Sequence, residues 1–320
     1  MRKNLLTTIL VLLTVSLWAQ EGLPFYKHYL VGDAYLINPS YAGQDPEVLN
    51  VTATYANQWA DLPESPNTQT LSAHATVVNR LAFGLYVFHD RNGLSSLKGI
   101  NLSAAYHIPI SSDRDYKWDE PEDIFSFGLS YNNFSQSLDI DRVIANDPSD
   151  PLINDSNFGM NYFNFGASFR YAGAFGGISV LDIPLKENES VTNGIEPLPA
   201  WYNFILGYTF YFGENFYIYP SVVMNLNSNS ARKFDVNLMS HLSFGESQQG
   251  LDLGVSYRQD VDKNGSQGLT MSPIMKLKIG ELKVGFSYDL GLSDIAKEAG
   301  NGFMFSLGYN FGNPFNPDFR

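Results

Sequence analysis

The chain has 320 residues, 44% of them hydrophobic, 14% aromatic and 17% charged, a balance too apolar for a disordered protein and long enough for one large domain or two modest ones. The formal charge of −13, which loss of the cations Arg2 and Lys3 with a leader takes to −15, argues against nucleic acid as a partner. Cysteine is absent, which excludes disulfide staples, thiol nucleophiles, lipid anchoring through an N-terminal Cys and Cys-based zinc sites.

Residues 1–19 read as a signal peptide: two cations, an apolar run from Leu5 to Trp18, and a cleavage site expected after Ala19, although Leu17 stands where a small residue is usual. No later run approaches the roughly 20 apolar residues that a membrane-spanning helix needs. Residues 20–47 carry Phe25, Tyr26, Tyr29, Tyr35 and Tyr41 ahead of the first strand and form a candidate plug, expected to fold into or against the periplasmic mouth of the barrel that the later residues predict.

From Val48 the chain alternates with a period of two, the signature of strands with one apolar and one polar face. LKVGFSYDLGL, 282–292, places Leu282, Val284, Phe286, Tyr288, Leu290 and Leu292 on one side and Lys283, Gly285, Ser287, Asp289 and Gly291 on the other. The spacing predicts fourteen strands: 48–59, 66–78, 80–89, 98–108, 123–134, 160–171, 173–181, 201–212, 215–225, 232–244, 250–259, 269–279, 282–291 and 302–311. Most have about the 9 to 11 residues with which a tilted strand crosses a bilayer. Connections after odd strands (60–65, 90–97, 135–159, 182–200, 226–231, 260–268, 292–301) are long and polar, whereas those after even strands include Asn79, Ala172, Gly213-Glu214 and Gly280-Glu281. Short periplasmic turns and longer external loops mark an outer-membrane barrel. The stretch 109–122 is long on the periplasmic side and has no explanation at this level.

The fold expected is therefore all-β: a transmembrane antiparallel up-and-down β-barrel of about fourteen strands over residues 48–311, with a tail at 312–320. Its apolar face meets outer-membrane lipid and its Gly/Ser/Asp face meets the lumen. Trp59, Tyr106, Trp201 and Tyr257 lie near strand ends, where aromatic girdles sit. A soluble all-β protein would have to bury every one of these faces.

Little chemistry is legible. His28, His74, His89, His107 and His241 lack metal-site spacing, and His74 and His107 fall on lumen-facing positions as hydrogen-bonded polar residues. No GxSxG, P-loop or HExxH occurs, and His89-Asp90 at a strand end is the weak remnant of an enzyme reading. Asn92-Gly93, Asn264-Gly265 and Asn301-Gly302 are turn chemistry. No cofactor and no metal is expected. The acidic connections Ser135 to Gly159 and Asp182 to Ala200 are solvated external loops and candidate partner-binding elements.

Several motifs carry a resemblance across nearly the whole mature chain. They are INPSYAG at 37–43 (Asn38, Pro39, Tyr41, Ala42, Gly43), YANQW at 55–59 (Asn57, Gln58, Trp59) and PNTQTLSAH at 66–74 (Thr68, Gln69, His74). GLYVFHDRNG at 84–93 (Asp90, Gly93), GINLSAAYHIPI at 99–110 (Tyr106) and FNFGASFRY at 163–171 come next. YPSV at 219–222, LGVSYR at 253–258 (Tyr257, Arg258) and VGFSYDLGLS at 284–293 (Tyr288, Asp289) complete the set. In this order they resemble the PorP/SprF family of Bacteroidota outer-membrane proteins. Family members often have Ser-His-Glu before the last strand, where this chain has Gly300-Asn301-Gly302-Phe303, and Lys after the PSV block, where it has Asn225. Roles tied to those side chains do not carry over.

The resemblance implies a barrel of the type IX secretion and gliding machinery. Its implied partners are a secreted surface adhesin with a type IX C-terminal sorting domain, held outside, and a periplasmic type IX or peptidoglycan-binding component. Whether the chain is of the PorP or the SprF branch stays open. The alternatives are an outer-membrane channel and, last, an outer-membrane hydrolase.

Overall fold

A strand inside hydrocarbon has to find partners for every backbone N–H and C=O, and this chain does so by rolling one antiparallel sheet into a closed cylinder. The computed structural model describes residues 29–110, 123–138, 158–185, 198–227, 232–244, 249–262 and 265–315. Its strands are β1 Val48–Asn57, β2 Asn67–Val78, β3 Leu81–Asn92, β4 Ser95–Pro109, β5 Ile124–Leu138, β6 Phe158–Tyr171, β7 Ala174–Pro184 and β8 Trp201–Tyr208. They continue as β9 Phe210–Tyr211, β10 Phe216–Asn227, β11 Arg232–Ser243, β12 Gly250–Asp262, β13 Gly265–Ile279, β14 Leu282–Gly291 and β15 Gly302–Gly312. A short helix, α1 Asp294–Ala299, precedes the last strand.

Apart from β8 and β9, each strand pairs with its neighbours in sequence, and β1 pairs with β15 from Val48↔Gly312 to Asn57↔Phe303, so the sheet closes on itself. β8 and β9 both pair with β10 and form one stave interrupted at Thr209, which makes the cylinder fourteen staves round. Among the described residues no helix is long and apolar enough to cross a membrane.

The predicted period of two sorts the side chains as expected. In β14, Phe286, Tyr288 and Leu290 point outward and are exposed, while Ser287 and Asp289 point inward and are buried. Phe127 and Leu129, Leu102 and Tyr106, and Leu238 and Tyr257 continue the outward apolar surface around the barrel. A continuous apolar exterior on a closed sheet is the surface that hydrocarbon requires. Arginine at Leu206, an outward residue 64% exposed near the middle of its stave, should therefore cost about 2–4 kcal/mol. Urea unfolding in lipid vesicles measures this, and an unchanged midpoint would show that the face does not meet lipid.

The structure corrects several expectations in detail. The connections 90–97 and 260–268 are mostly strand, because β3 runs to Asn92, β4 starts at Ser95, β12 runs to Asp262 and β13 starts at Gly265. Beyond the bilayer both faces of a strand meet water, so period two fades while pairing persists. β1 ends at Asn57 rather than 59, and Trp59 sits in the following turn with φ +57, outside any lipid-facing stripe. Trp201 points inward, 5% exposed and packed on Leu181, so it is not part of an aromatic girdle. Tyr106 and Tyr257 do face outward.

The connection 292–301 holds α1, capped by the Ser293 side chain, and backbone N–H groups of Ala60 and Asp61 donate to the carbonyls of Asn301 and Ala299 at 2.8 and 3.2 Å. Two connections at the same end of the cylinder are thus lashed together beside the β1–β15 seam. The signal peptide, with Phe25, Tyr26 and His28, lies outside the described residues, as do most of 109–122, 135–159, 182–200 and the 312–320 tail.

Candidate functional site: a segment held inside the barrel

Residues 29–46 cross the lumen before the chain enters β1. Two 3-10 turns shape this segment. The first, Ala34–Leu36, is capped by Asp33, whose side chain accepts from the Tyr35 N–H; the second, Pro39–Tyr41, is capped by Asn38, whose side chain accepts from the Ser40 N–H. Asx capping followed by Pro at the first turn position is what the INPSYAG motif encodes locally. Tyr35, Leu36, Ile37, Asn38, Ser40 and Ala42 are all nearly inaccessible.

Its polar groups are answered by one or two inward side chains from strand after strand. The Val31 carbonyl accepts from Ser306 of β15 at 2.6 Å, and the Ile37 carbonyl accepts from Ser179 of β7 at 2.6 Å. Asn38 donates to the carbonyls of Ala167 and Ile178 at 3.3 and 3.1 Å and accepts from Ser40, so its amide is fully used. The Ser40 and Ser168 hydroxyls pair at 2.8 Å. Tyr35 donates to Asn101 at 3.0 Å and also meets the Ser103 hydroxyl.

Both lumen histidines bind this segment. His107 Nε2 donates to the Ala42 carbonyl at 2.9 Å, which leaves Nδ1 to accept from the Ser126 hydroxyl at 2.8 Å. His74 Nδ1 accepts the Gly43 N–H at 2.9 Å, so its proton sits on Nε2, 3.3 Å from Asp33. Thr76 donates to the Gly43 carbonyl at 2.7 Å. Gly43 itself has φ +61, and a Cβ there would lie 2.5 Å from that of Ala82.

Glycines in the wall make room. A Cβ on Gly84 would meet the Tyr35 ring, on Gly128 the backbone of Pro39 and Ser40, and on Gly166 the Asn38 amide. Gly128 and Gly166 face each other across the β5–β6 ladder, so one smooth groove receives the motif. This explains the glycines of FSFGLSY and FNFGASFRY, which strand propensity alone disfavours.

Burial pushes the Asp33 carboxyl upward, but the His74 ring, the Ser72 hydroxyl at 2.6 Å and the Tyr35 N–H outweigh it and bring its pKa from 3.8 down to about 2. A carboxyl depressed in the folded state stabilises above its unfolded pKa and loses that contribution as pH falls through the folded one. Docking of the segment should therefore weaken between about pH 4 and pH 2, by on the order of 2 kcal/mol. Protease sensitivity of residues 29–46 against pH measures this, and an Asp33→Asn variant should be flat across that range; a parental profile in Asp33→Asn would rule the carboxyl out.

On the opposite wall, strands β10–β14 carry a separate polar set. Arg258 grips Asp235 through a two-bond fork, Ser272 donates to Asp289 at 2.6 Å, and a cavity of about 30 Å³ lies between these and Tyr29, Leu30 and Val31. That is room for about two waters. Towards the end of the cylinder where β1 leads into β2, rings line part of the lumen: Tyr86, Phe88, Leu97, Phe134 and Tyr162 form one buried cluster with Tyr35.

The motif residues thus fall into groups. Asn38, Pro39, Tyr41, Ala42, Gly43 and His74 converge in the lumen, whereas Arg258 and Asp289 belong to the cavity wall. Thr68 donates to Asp90 at 2.5 Å, and Asn57 donates to Ser65 at 2.7 Å, both at the end of the cylinder where β1 leads into β2. Gln69 is exposed, Gly93 has φ +56 in a two-residue turn with open space around it, and Tyr288 accepts from Asn301. Gln58 donates its backbone N–H to the Pro66 carbonyl. His89 meets Ser96 at 3.0 Å and does not pair with Asp90. Among the described residues no group of three His, Cys, Asp or Glu side chains is arranged to hold a metal ion. The inward aromatic cluster was missed from sequence; its signal is the loss of alternation in LYVF, 85–88, where both faces are apolar.

No curated protein matches the chain in sequence. Among solved structures it is similar to CdiB from Acinetobacter baumannii (9% identity, covering 83% of this chain and 60% of that one, TM-score 0.40). It is also similar to a Pseudomonas aeruginosa FadL homologue (11%, 86% and 92%, 0.49) and to the KdgM porin (8%, 82% and 99%, 0.37). The chain spans less than two thirds of CdiB, at 60% of its length. A family model described as type IX secretion system membrane protein PorP/SprF matches residues 19–309, taking in the lumen segment, its groove and every stave. The chain belongs to the PorP/SprF family of type IX secretion system membrane proteins.

Proposed function

We propose that this barrel is an anchor rather than a conduit: it holds a type IX-secreted surface protein on its external face and couples it to periplasmic components of the machinery. The observation that carries the reading is the segment 29–46, which lies in the lumen and bonds its polar groups to the wall, an arrangement that suits a plug better than an open conduit. External connections Ser135 to Gly159 and Asp182 to Ala200 grip the secreted adhesin through its C-terminal sorting domain. The periplasmic turns meet a type IX or peptidoglycan-binding component. The barrel performs no catalysis in this reading and needs no cofactor; it sits in the outer membrane after removal of residues 1–19.

The Gly93-Leu94 turn between β3 and β4 is a site for an affinity tag, since nothing lies within 4 Å of a Cβ there and both candidate gripping loops stay free. Pull-down from detergent-solubilised native outer membranes should recover a large secreted protein together with periplasmic type IX components. Recovery of the barrel alone, under conditions that preserve another outer-membrane complex, would reject anchoring. Steady conductance of the purified full chain in a planar bilayer would then favour the channel.

A further inference from the structure

Two columns of buried side chains run from Tyr35 of the lumen segment to the external end. One is made of rings. Tyr35 meets Tyr86 edge-on with centroids 5.6 Å apart, Tyr86 lies 6.3 Å from Phe88, Phe88 meets Phe134 at 5.0 Å, and Phe134 meets Tyr162 at 5.4 Å. The Tyr162 hydroxyl accepts the backbone N–H of Leu198 at 3.0 Å. The other column is made of amides. Tyr35 donates to Asn101, Asn101 donates to Asn132, and Asn132 donates to Asn164 at 3.1 Å. Asn164 accepts the N–H of Asp182 at 2.8 Å.

Both columns end at feet of one external connection. Asp182 lies two residues before the end of β7, and Leu198 three residues before β8 begins. Asp182 has φ +60, opposite a register shift between Phe163 and Phe165. A left-handed Asp in a strand is a strained backbone, held there by what surrounds it. Every side chain named in the two columns is buried, and packed interiors respond in discrete steps rather than by smooth deformation. The lumen segment is therefore joined through packed side chains to Asp182 and Leu198.

Building on the anchoring reading, we propose that Tyr35 couples the two feet, Asp182 and Leu198, to the seating of the 29–46 segment. A partner that shifts these feet unseats the segment, and unseating the segment loosens the feet. The coupling is reciprocal, as linkage requires. A protein partner outside and a periplasmic partner on the segment thereby sense each other without any solute crossing.

The chain has no cysteine, so single-cysteine reporters are clean. Ser40→Cys, at a fully buried position, reports on the segment, and Leu198→Cys reports on the foot. The full-length barrel, its folding checked by heat-dependent gel mobility, is alkylated with N-ethylmaleimide in detergent. Combining Asn132→Leu with Tyr162→Phe cuts the far end of both columns and should speed labelling of the Ser40→Cys reporter about tenfold. Tyr35→Phe should in turn speed labelling of the Leu198→Cys reporter. Control Ser256→Ala, on the opposite wall, should change neither. If Asn132→Leu prevents folding, Tyr162→Phe alone, which keeps the ring, decides with a smaller acceleration. Segment labelling within about twofold of the parent, while the foot reporter accelerates, would overturn the coupling. These rates are read on the purified barrel, so the coupling and the capture of partners fail independently.

Discussion

Gly128→Leu is expected to expel residues 29–46 from the barrel wall while leaving the cylinder closed. A Cβ at this position falls on the backbone of Pro39 and Ser40, which has no rotamer with which to step aside. Overpacking a core typically costs about 1–3 kcal/mol, and a clash with main chain belongs at the upper end or beyond it. About 3 kcal/mol is a change of more than a hundredfold in the seated population. The β5 ladder to β4 and β6 uses only backbone groups and is not touched. Limited proteolysis in detergent should cut the segment rapidly in the variant and slowly in the parent, with the barrel fragment intact. Leu129→Phe, one residue away but facing outward, should behave as the parent. Parental protease resistance in Gly128→Leu would show that the groove does not seat the segment.

Asp235→Ala is expected to destabilise the barrel itself by about 3–5 kcal/mol, because it removes the carboxylate that the buried Arg258 guanidinium grips through two bonds. Each side chain is 7% exposed, and the two residues are direct partners across the β11–β12 ladder. Replacing both, as Asp235→Leu with Arg258→Met, should recover part of the loss, since the guanidinium then leaves with its partner while the buried Asp289 keeps its bond from Ser272. The comparison is made on urea unfolding midpoints at equal slope. A single variant within about 1 kcal/mol of the parent would mean that water reaches the pair and solvates it. The pair faces Tyr29, Leu30 and Val31 across the cavity, and its two-bond fork joins β11 to β12 rather than to residues 33–46, so this variant should not by itself expose the segment to protease.

How much of this was legible in advance differs from element to element. Strand direction of each side chain was legible, as Phe286, Tyr288 and Leu290 against Ser287 and Asp289 show, because a pleated chain alternates wherever it runs between lipid and lumen. Strand ends were not, as β3 and β4 show by running through 90–97, since outside the bilayer nothing distinguishes one face from the other. His74 and His107 were readable as lumen-facing residues, but Gly43 and Ala42 as their partners were not. Tyr86, Phe88, Phe134 and Tyr162 put apolar surface on the face that is polar elsewhere, which hides a column of rings inside what reads as an ordinary strand.

The sequence by itself determined a closed antiparallel barrel, which face of each strand meets lipid, and the family, because these rest on local periodicity and on short motifs. Only the tertiary structure decided that INPSYAG lies in a glycine groove, that Gly128 stands opposite Gly166, and that Tyr35 reaches both feet of one external connection. Those contacts join residues as far apart as Asn38 and Ile178, and their register is set by cylinder closure and by turn lengths, a sum over the whole chain that no local window contains.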